Sequence, residues 1–142
     1  MASKKETSEN KLALVPDEQA FRLMFEKDPE IMLLIEPITG VILDANQVAV
    51  DFYGYPKTKL CGMLIQEINT LSPEQVAVER QKAVHEERNY FVFPHKLASG
   101  EERIVEVYSS PLVLQEKQLL FSIIHDITNH KEMDNVMWVR SN

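Results

Sequence analysis

One cysteine in 142 residues, Cys61, excludes an internal disulfide and any metal site built from several cysteines. No apolar run approaches the roughly 20 residues of a membrane-spanning helix. Met1 to Asn10 also lacks the apolar core of a signal peptide, so a cytoplasmic protein without a membrane span is expected. Basic charge is scarce, with 15 Lys and Arg against 22 Asp and Glu and a net charge of -7. Clustered Lys and Arg are absent, which argues against a role on nucleic acid. Ser109-Ser110 has no Gly-rich elbow, and no paired carboxylates or nucleophile–base set stands out, so no catalytic residue is expected. Asp44 beside Asn46 reads as loop and helix-cap chemistry.

What is present is the balance of one globular domain with tails. Hydrophobic residues make up 44% and charged ones 26% of a chain long enough for a single core. Tyr90 to Ala98, Arg103 to Leu112 and Lys117 to Thr128 are rich in β-branched and aromatic residues and are separated by short polar breaks. They are read as three consecutive antiparallel strands. Pro94 cannot donate to a ladder, which puts the first of them at a sheet edge. In the last, Leu120, Ser122 and Ile124 alternate with Leu119, Phe121 and Ile123, so both faces are largely apolar and the strand is expected mid-sheet. Ile31 to Glu36 and Val41 to Ala45, either side of a Pro-Ile-Thr-Gly loop, supply a second hairpin.

Helical signals fill the remainder. Asp17 can cap a helix whose Ala20, Phe21, Met24 and Phe25 recur at helical spacing, ended by Asp28-Pro29. Asn46 caps Gln47 to Tyr53 and Gly54 stops it, with short pieces at Lys57 to Leu60 and Ile65 to Ile68. Ser72-Pro73-Glu74-Gln75 combines a Ser cap, Pro at the first helical position and Gln at the third, which predicts a helix from Pro73 to about Glu87 lying over the sheet. Residues 1–16 read as a tail or linker, 17–128 as the domain, and 129–142 as the start of an amphipathic exit helix.

This order of elements, together with several local motifs, resembles PAS sensory domains from about Asp17 to Lys131. The motifs are Phe21-Arg22-Leu23-Met24-Phe25-Glu26 before Asp28-Pro29, Gly40-Val41-Ile42-Leu43-Asp44-Ala45-Asn46, and Phe52-Tyr53-Gly54-Tyr55. They continue through Leu60-Cys61-Gly62, His95-Lys96-Leu97-Ala98-Ser99-Gly100 and Val105-Glu106-Val107-Tyr108-Ser109-Ser110-Pro111 to His125-Asp126-Ile127-Thr128, which looks like the exit signature of such domains. The resemblance implies an α+β fold: a five-stranded antiparallel sheet in the order 2-1-5-4-3, short helices over one face, and flanking helices at both ends. It also implies a cavity between helices and sheet.

By resemblance the helix-facing side of the last strand, Leu120, Ser122 and Ile124, joins Phe52, Ile65, Val105, Val107 and Ser109. These residues line either a mostly apolar pocket for a small organic or fatty ligand or a filled hydrophobic core. The outer face carries Phe121, Ile123, Leu119, Ile104 and Tyr108. The helix with Phe21, Met24 and Phe25 is its expected cover, from the same chain or across a homodimer. Asp126 and Thr128 mark the signal exit, where Asp126 is expected to bond to backbone or to a basic group such as Lys131. No cofactor is implied. Flavin photosensors of this family need a Cys in an Asn-Cys-Arg-Phe-Leu type motif, whereas Cys61 precedes Gly62-Met63-Leu64 and reads as a small buried thiol. Haem-binding relatives use a His near the longer helix. His85 sits in the solvated His-Glu-Glu-Arg, His95 on the strand that follows, and His125 and His130 read as linker residues. The function implied is a sensor and dimerisation module of a signalling protein, with a diguanylate cyclase or histidine kinase downstream. The alternative is a ligand-free interaction scaffold.

Overall fold

The computed structural model describes residues 18–78 and 89–129. Its elements are α1 (Glu18–Lys27), β1 (Ile31–Ile35), β2 (Ile42–Ala45), α2 (Gln47–Tyr53), α3 (Lys57–Leu60) and α4 (Ile65–Ile68). Then come α5, of which 73–78 are described, and β3 (Tyr90–Lys96), β4 (Glu102–Leu114) and β5 (Lys117–Asp126). The five strands form one antiparallel sheet in the order β2-β1-β5-β4-β3, as the motifs imply. Pro94 lies on the edge strand β3, and β5 lies mid-sheet between β1 and β4. The tail at 1–16, the far part of the predicted long helix with His85, and the exit helix with His130 and Lys131 lie outside the described residues.

Local chemistry explains where the helices start. Asn46 is fully buried, and its Oδ1 accepts from the N–H of Ala49 at 3.0 Å and of Met32 at 3.1 Å, while its Nδ2 donates to the Glu30 carbonyl at 2.8 Å. One side chain thus caps α2 and fastens it to the start of β1. Gly54 closes α2 in the left-handed conformation, φ 83°. At α5 the Gln75 N–H donates to Ser72 Oγ at 3.1 Å and the Ser72 N–H donates to Gln75 Oε1 at 2.9 Å, a reciprocal capping box.

The sheet has two apolar faces with different covers. On the inner face Leu33, Ile42, Tyr53, Leu60, Ile68, Val105 and Ile124 form the main core beneath the short helices. On the outer face Phe21 and Phe25 of α1 pack on Met32, Leu34, Phe121, Ile123 and Leu119, with Phe21 edge-on to Phe121 at 5.6 Å. Burying each phenylalanine contributes about 2 kcal/mol. The ion pairs Arg22–Asp44, which links α1 to β2, and Lys57–Glu26, which links it to α3, are partly exposed and contribute less than about 1 kcal/mol each. Burial therefore holds α1 in place.

Two expectations need correction here. Met24 is 39% exposed and turns away from the sheet with Leu23, because a helix lying on a sheet buries a narrower arc than the Ala20, Phe21, Met24, Phe25 stripe spans. Tyr108 is 40% exposed and outside the α1-covered cluster. It packs instead against Tyr90 and His125 at the far end of the outer face.

The β4–β5 hairpin closes on Gln115 and Glu116, with φ 50° and 65°. Both central residues are left-handed, a conformation that Asn-Gly adopts readily and Gln-Glu does not. Replacing Glu116→Gly is expected to raise stability by about 1 kcal/mol in denaturant melts. Asn46→Ala strands three buried backbone partners and is expected to lower stability by about 3 kcal/mol in the same measurement.

Candidate functional site

The inner face carries a partly open cavity of about 570 Å³ between the sheet, α4 and α5. Ile65, Val107, Ser109, Leu120, Ser122 and Ile124, all singled out from the sequence, lie on its wall. Val105 and Phe52 do not. Val105 is sealed in the core, and Phe52 is half-buried against it, edge-on to Tyr53 at 4.9 Å. Ser109 and Ser122 are paired across β4 and β5, and their hydroxyls hydrogen-bond at 2.9 Å. Whichever hydroxyl donates, the proton of the other is left without an acceptor among the described residues.

The edge strand adds three aromatic wall residues that the sequence alone did not assign to the site: Phe91, Phe93 and His95. Their period-two spacing in Tyr90–Lys96 is the signal that places them on one face. His95 is 1% exposed. Its ring lies nearly parallel to Phe93, and its Nδ1 is 2.8 Å from the Tyr53 hydroxyl. Its Nε2 is buried with no hydrogen-bond partner among the described residues. Burial alone pushes its pKa down to about 4, so the ring is neutral near pH 7. Burial first, and then the nearby charge of Asp126, push the Tyr53 hydroxyl above its ordinary range, so it keeps its proton. Among the described residues the acceptor within reach of that proton is Nδ1, and on that ground the imidazole proton is assigned to Nε2.

Beyond the cavity β5 ends in a clasp. Asp126 Oδ2 accepts from Arg103 Nε at 2.9 Å and pairs with the second guanidinium nitrogen at 2.8 Å. Its Oδ1 accepts from the Thr128 hydroxyl at 2.6 Å and the Thr128 N–H at 3.0 Å. Thr128 Oγ1 in turn accepts from the Ile104 N–H at 2.8 Å. Burial raises the Asp126 pKa, but Thr128 and then Arg103 more than offset it, and the carboxyl is held below its usual range. The basic partner expected for Asp126 is thus Arg103, on the neighbouring strand.

Comparison with known proteins follows from this geometry. A family model described as PAS fold matches residues 25–132. The chain belongs to the PAS family of sensory domains. It is 37% identical over 108 residues to diguanylate cyclase DgcM of Escherichia coli (strain K12), an alignment that covers 72% of this chain and 26% of that protein. The chain thus spans about a quarter of the length of this curated relative. Among solved structures, the PAS domain of an HTR-like protein from Haloarcula marismortui superposes with a TM-score of 0.64 at 24% identity, covering 86% of this chain and 99% of that one. A PAS domain from a two-component sensor histidine kinase gives 0.62 at 18% identity, covering 77% and 97%.

Two further side chains of this PAS domain differ from expectation. Cys61 is only half-buried. His125 is a strand residue rather than a linker residue, with Nε2 2.7 Å from Glu30 Oε1. No helix among the described residues is long and apolar enough to cross a membrane.

The neutral His95 generates a pH prediction. An unfolded imidazole titrates near 6.5 and the folded one near 4, so its stability contribution is complete above about pH 6.5 and is lost progressively as pH falls toward 4. That loss is at most about 3 kcal/mol. Denaturant melts at pH 7, 5.5 and 4 are expected to show a shallower decline in the Tyr53→Phe/His95→Phe double variant than in the unmodified chain.

Proposed function

We propose that this PAS domain is a regulatory, non-catalytic sensor module of a cytoplasmic signalling protein. In this reading a small, mostly apolar ligand occupies the cavity, and its presence biases the segment that follows Thr128. The observation that carries the reading is the continuity of one strand: Leu120, Ser122 and Ile124 form cavity wall, and Asp126, next on the same face, makes the clasp. A ligand that prefers one packing of this face shifts the population of clasped and released states. The domain spans 17–128, and 129–142 leads toward the effector. The similarity to DgcM favours a diguanylate cyclase as effector over a histidine kinase.

The module pairs as a homodimer through α1, whose Leu23 and Met24 are exposed while Phe21 and Phe25 are used within the chain. The same exposed pair favours the second reading, a ligand-free interaction scaffold. Haem suits the described wall poorly. The Nε2 that would ligate iron carries the proton, and the described lining includes no Lys or Arg to meet the propionates.

Native mass spectrometry of freshly purified protein is expected to show a mass excess under gentle conditions that disappears on denaturation. The bare chain mass under both conditions favours the scaffold. In a protein that carries the effector domain, Asp126→Ala is expected to abolish the difference in output with and without stimulus. An unchanged difference removes the clasp from the mechanism.

A further inference from the structure

The described wall carries a few polar side chains: His95, Ser109, Ser122, Asn69, Gln66 and Asn89. His95 presents an Nε2–H with no acceptor among the described residues, and the serine pair keeps a spare hydroxyl proton. Asn69, also on the wall, uses its Oδ1 to accept the Leu71 N–H at 3.0 Å, and its Nδ2 has no partner among the described residues. All three leave a donor over, while the serine oxygens, Asn69 Oδ1 and the amide oxygens of Gln66 and Asn89 keep lone pairs as well. The described wall is otherwise mostly Leu, Ile, Val, Phe, Pro and Ala, and it includes no Asp, Glu, Lys or Arg.

A buried N–H left unpaired costs about 1–3 kcal/mol, which a ligand acceptor in the right place recovers. A carboxylate entering this wall loses its hydration and meets no cation among the described residues. An ammonium loses its hydration and meets no anion among them.

We propose that the cavity selects an uncharged organic molecule with an apolar body and a carbonyl-type acceptor, which accepts a hydrogen bond from His95 Nε2–H. This rests on the ligand-sensor reading and narrows it to one chemical class. The Tyr53 hydroxyl is a positioning group: by donating to Nδ1 it fixes the tautomer that makes Nε2 a donor. Phe93, nearly parallel to the imidazole, holds the ring in the wall.

The test uses probes that share one skeleton: acetonaphthone as the neutral acceptor, ethylnaphthalene as the apolar control, and naphthoate as the anion. By calorimetry or fluorescence titration on the whole chain, acetonaphthone is expected to bind at least about tenfold more tightly than either of the others. In His95→Phe/Tyr53→Phe, which keeps two planar rings and removes both polar groups, ethylnaphthalene is expected to bind as before and acetonaphthone to fall to its level. Long-range proton–nitrogen correlation spectra of the unmodified protein are expected to show the proton on Nε2.

Equal affinities for acetonaphthone and ethylnaphthalene overturn the acceptor requirement and leave the apolar cavity reading standing. The requirement is overturned in the same way if naphthoate binds tightest, if the preference survives in the double variant, or if the imidazole proton is on Nδ1. Binding of none of the probes overturns the cavity reading together with this proposal.

Discussion

Everything in this fold depends on one strand having no solvent side. β5 is hydrogen-bonded to β1 and β4 along its two edges, and it turns Leu120, Ser122 and Ile124 to one face and Leu119, Phe121 and Ile123 to the other. Apolar side chains on both faces require two covers. The chain supplies α1 for the outer face, and α2 to α5 for the inner one. A strand held by ladders on both edges cannot slide sideways without breaking several hydrogen bonds at once, so a change in what packs against it is felt along its length. At its carboxyl end the ladder stops and a side-chain clasp takes over.

The central place of β5 and the spacing along each face were legible as period-two signals within single segments and the edge place of β3 from Pro94, while the full strand order came from the resemblance to PAS domains. The helix starts were legible because Asn46 and Ser72 act over three residues. Long-range pairings were not legible. Arg103 and Asp126 are 23 positions apart and Tyr53 and His95 are 42 apart, so although the exit signature marked Asp126, nothing in the sequence named Arg103 as its partner or paired Tyr53 with His95. His95 was hidden by its flanks, since Lys96 and Pro94 suggest an exposed edge, yet the edge strand still turns alternate residues inward. The Gln115-Glu116 turn was hidden for the opposite reason: a polar pair predicts a hairpin tip without revealing that both residues must be left-handed. Met24 shows the limit of helical periodicity. A stripe marks which residues are apolar, while the shape of the surface beneath decides how many are buried.

Cavity and clasp are also joined through charge. Asp126 is on the cavity-facing side of β5, and after burial its carboxylate is the second cause that raises the Tyr53 pKa. Tyr53 is hydrogen-bonded to His95 Nδ1, so the polar group at the cavity wall and the carboxylate of the clasp share a buried tyrosine between them. Apolar surroundings strengthen such a link because they screen it little.

Magnitudes decide whether a link of this kind is useful. A ligand shifts a two-state equilibrium only by its difference in affinity for the two states, and coupling between sites in proteins is commonly about 1–3 kcal/mol. A hydrogen bond to a charged group contributes about 1.5–3 kcal/mol, and the clasp is partly exposed, with Arg103 at 22% and Asp126 at 26%, which weakens it further. A fully buried clasp would be too strong for one small ligand to open, and a fully exposed pair would be too weak to hold the chain after Thr128 in either state. On the proposed sensor reading, partial exposure puts the Asp126–Arg103 clasp within reach of the free energy gained by satisfying one buried N–H.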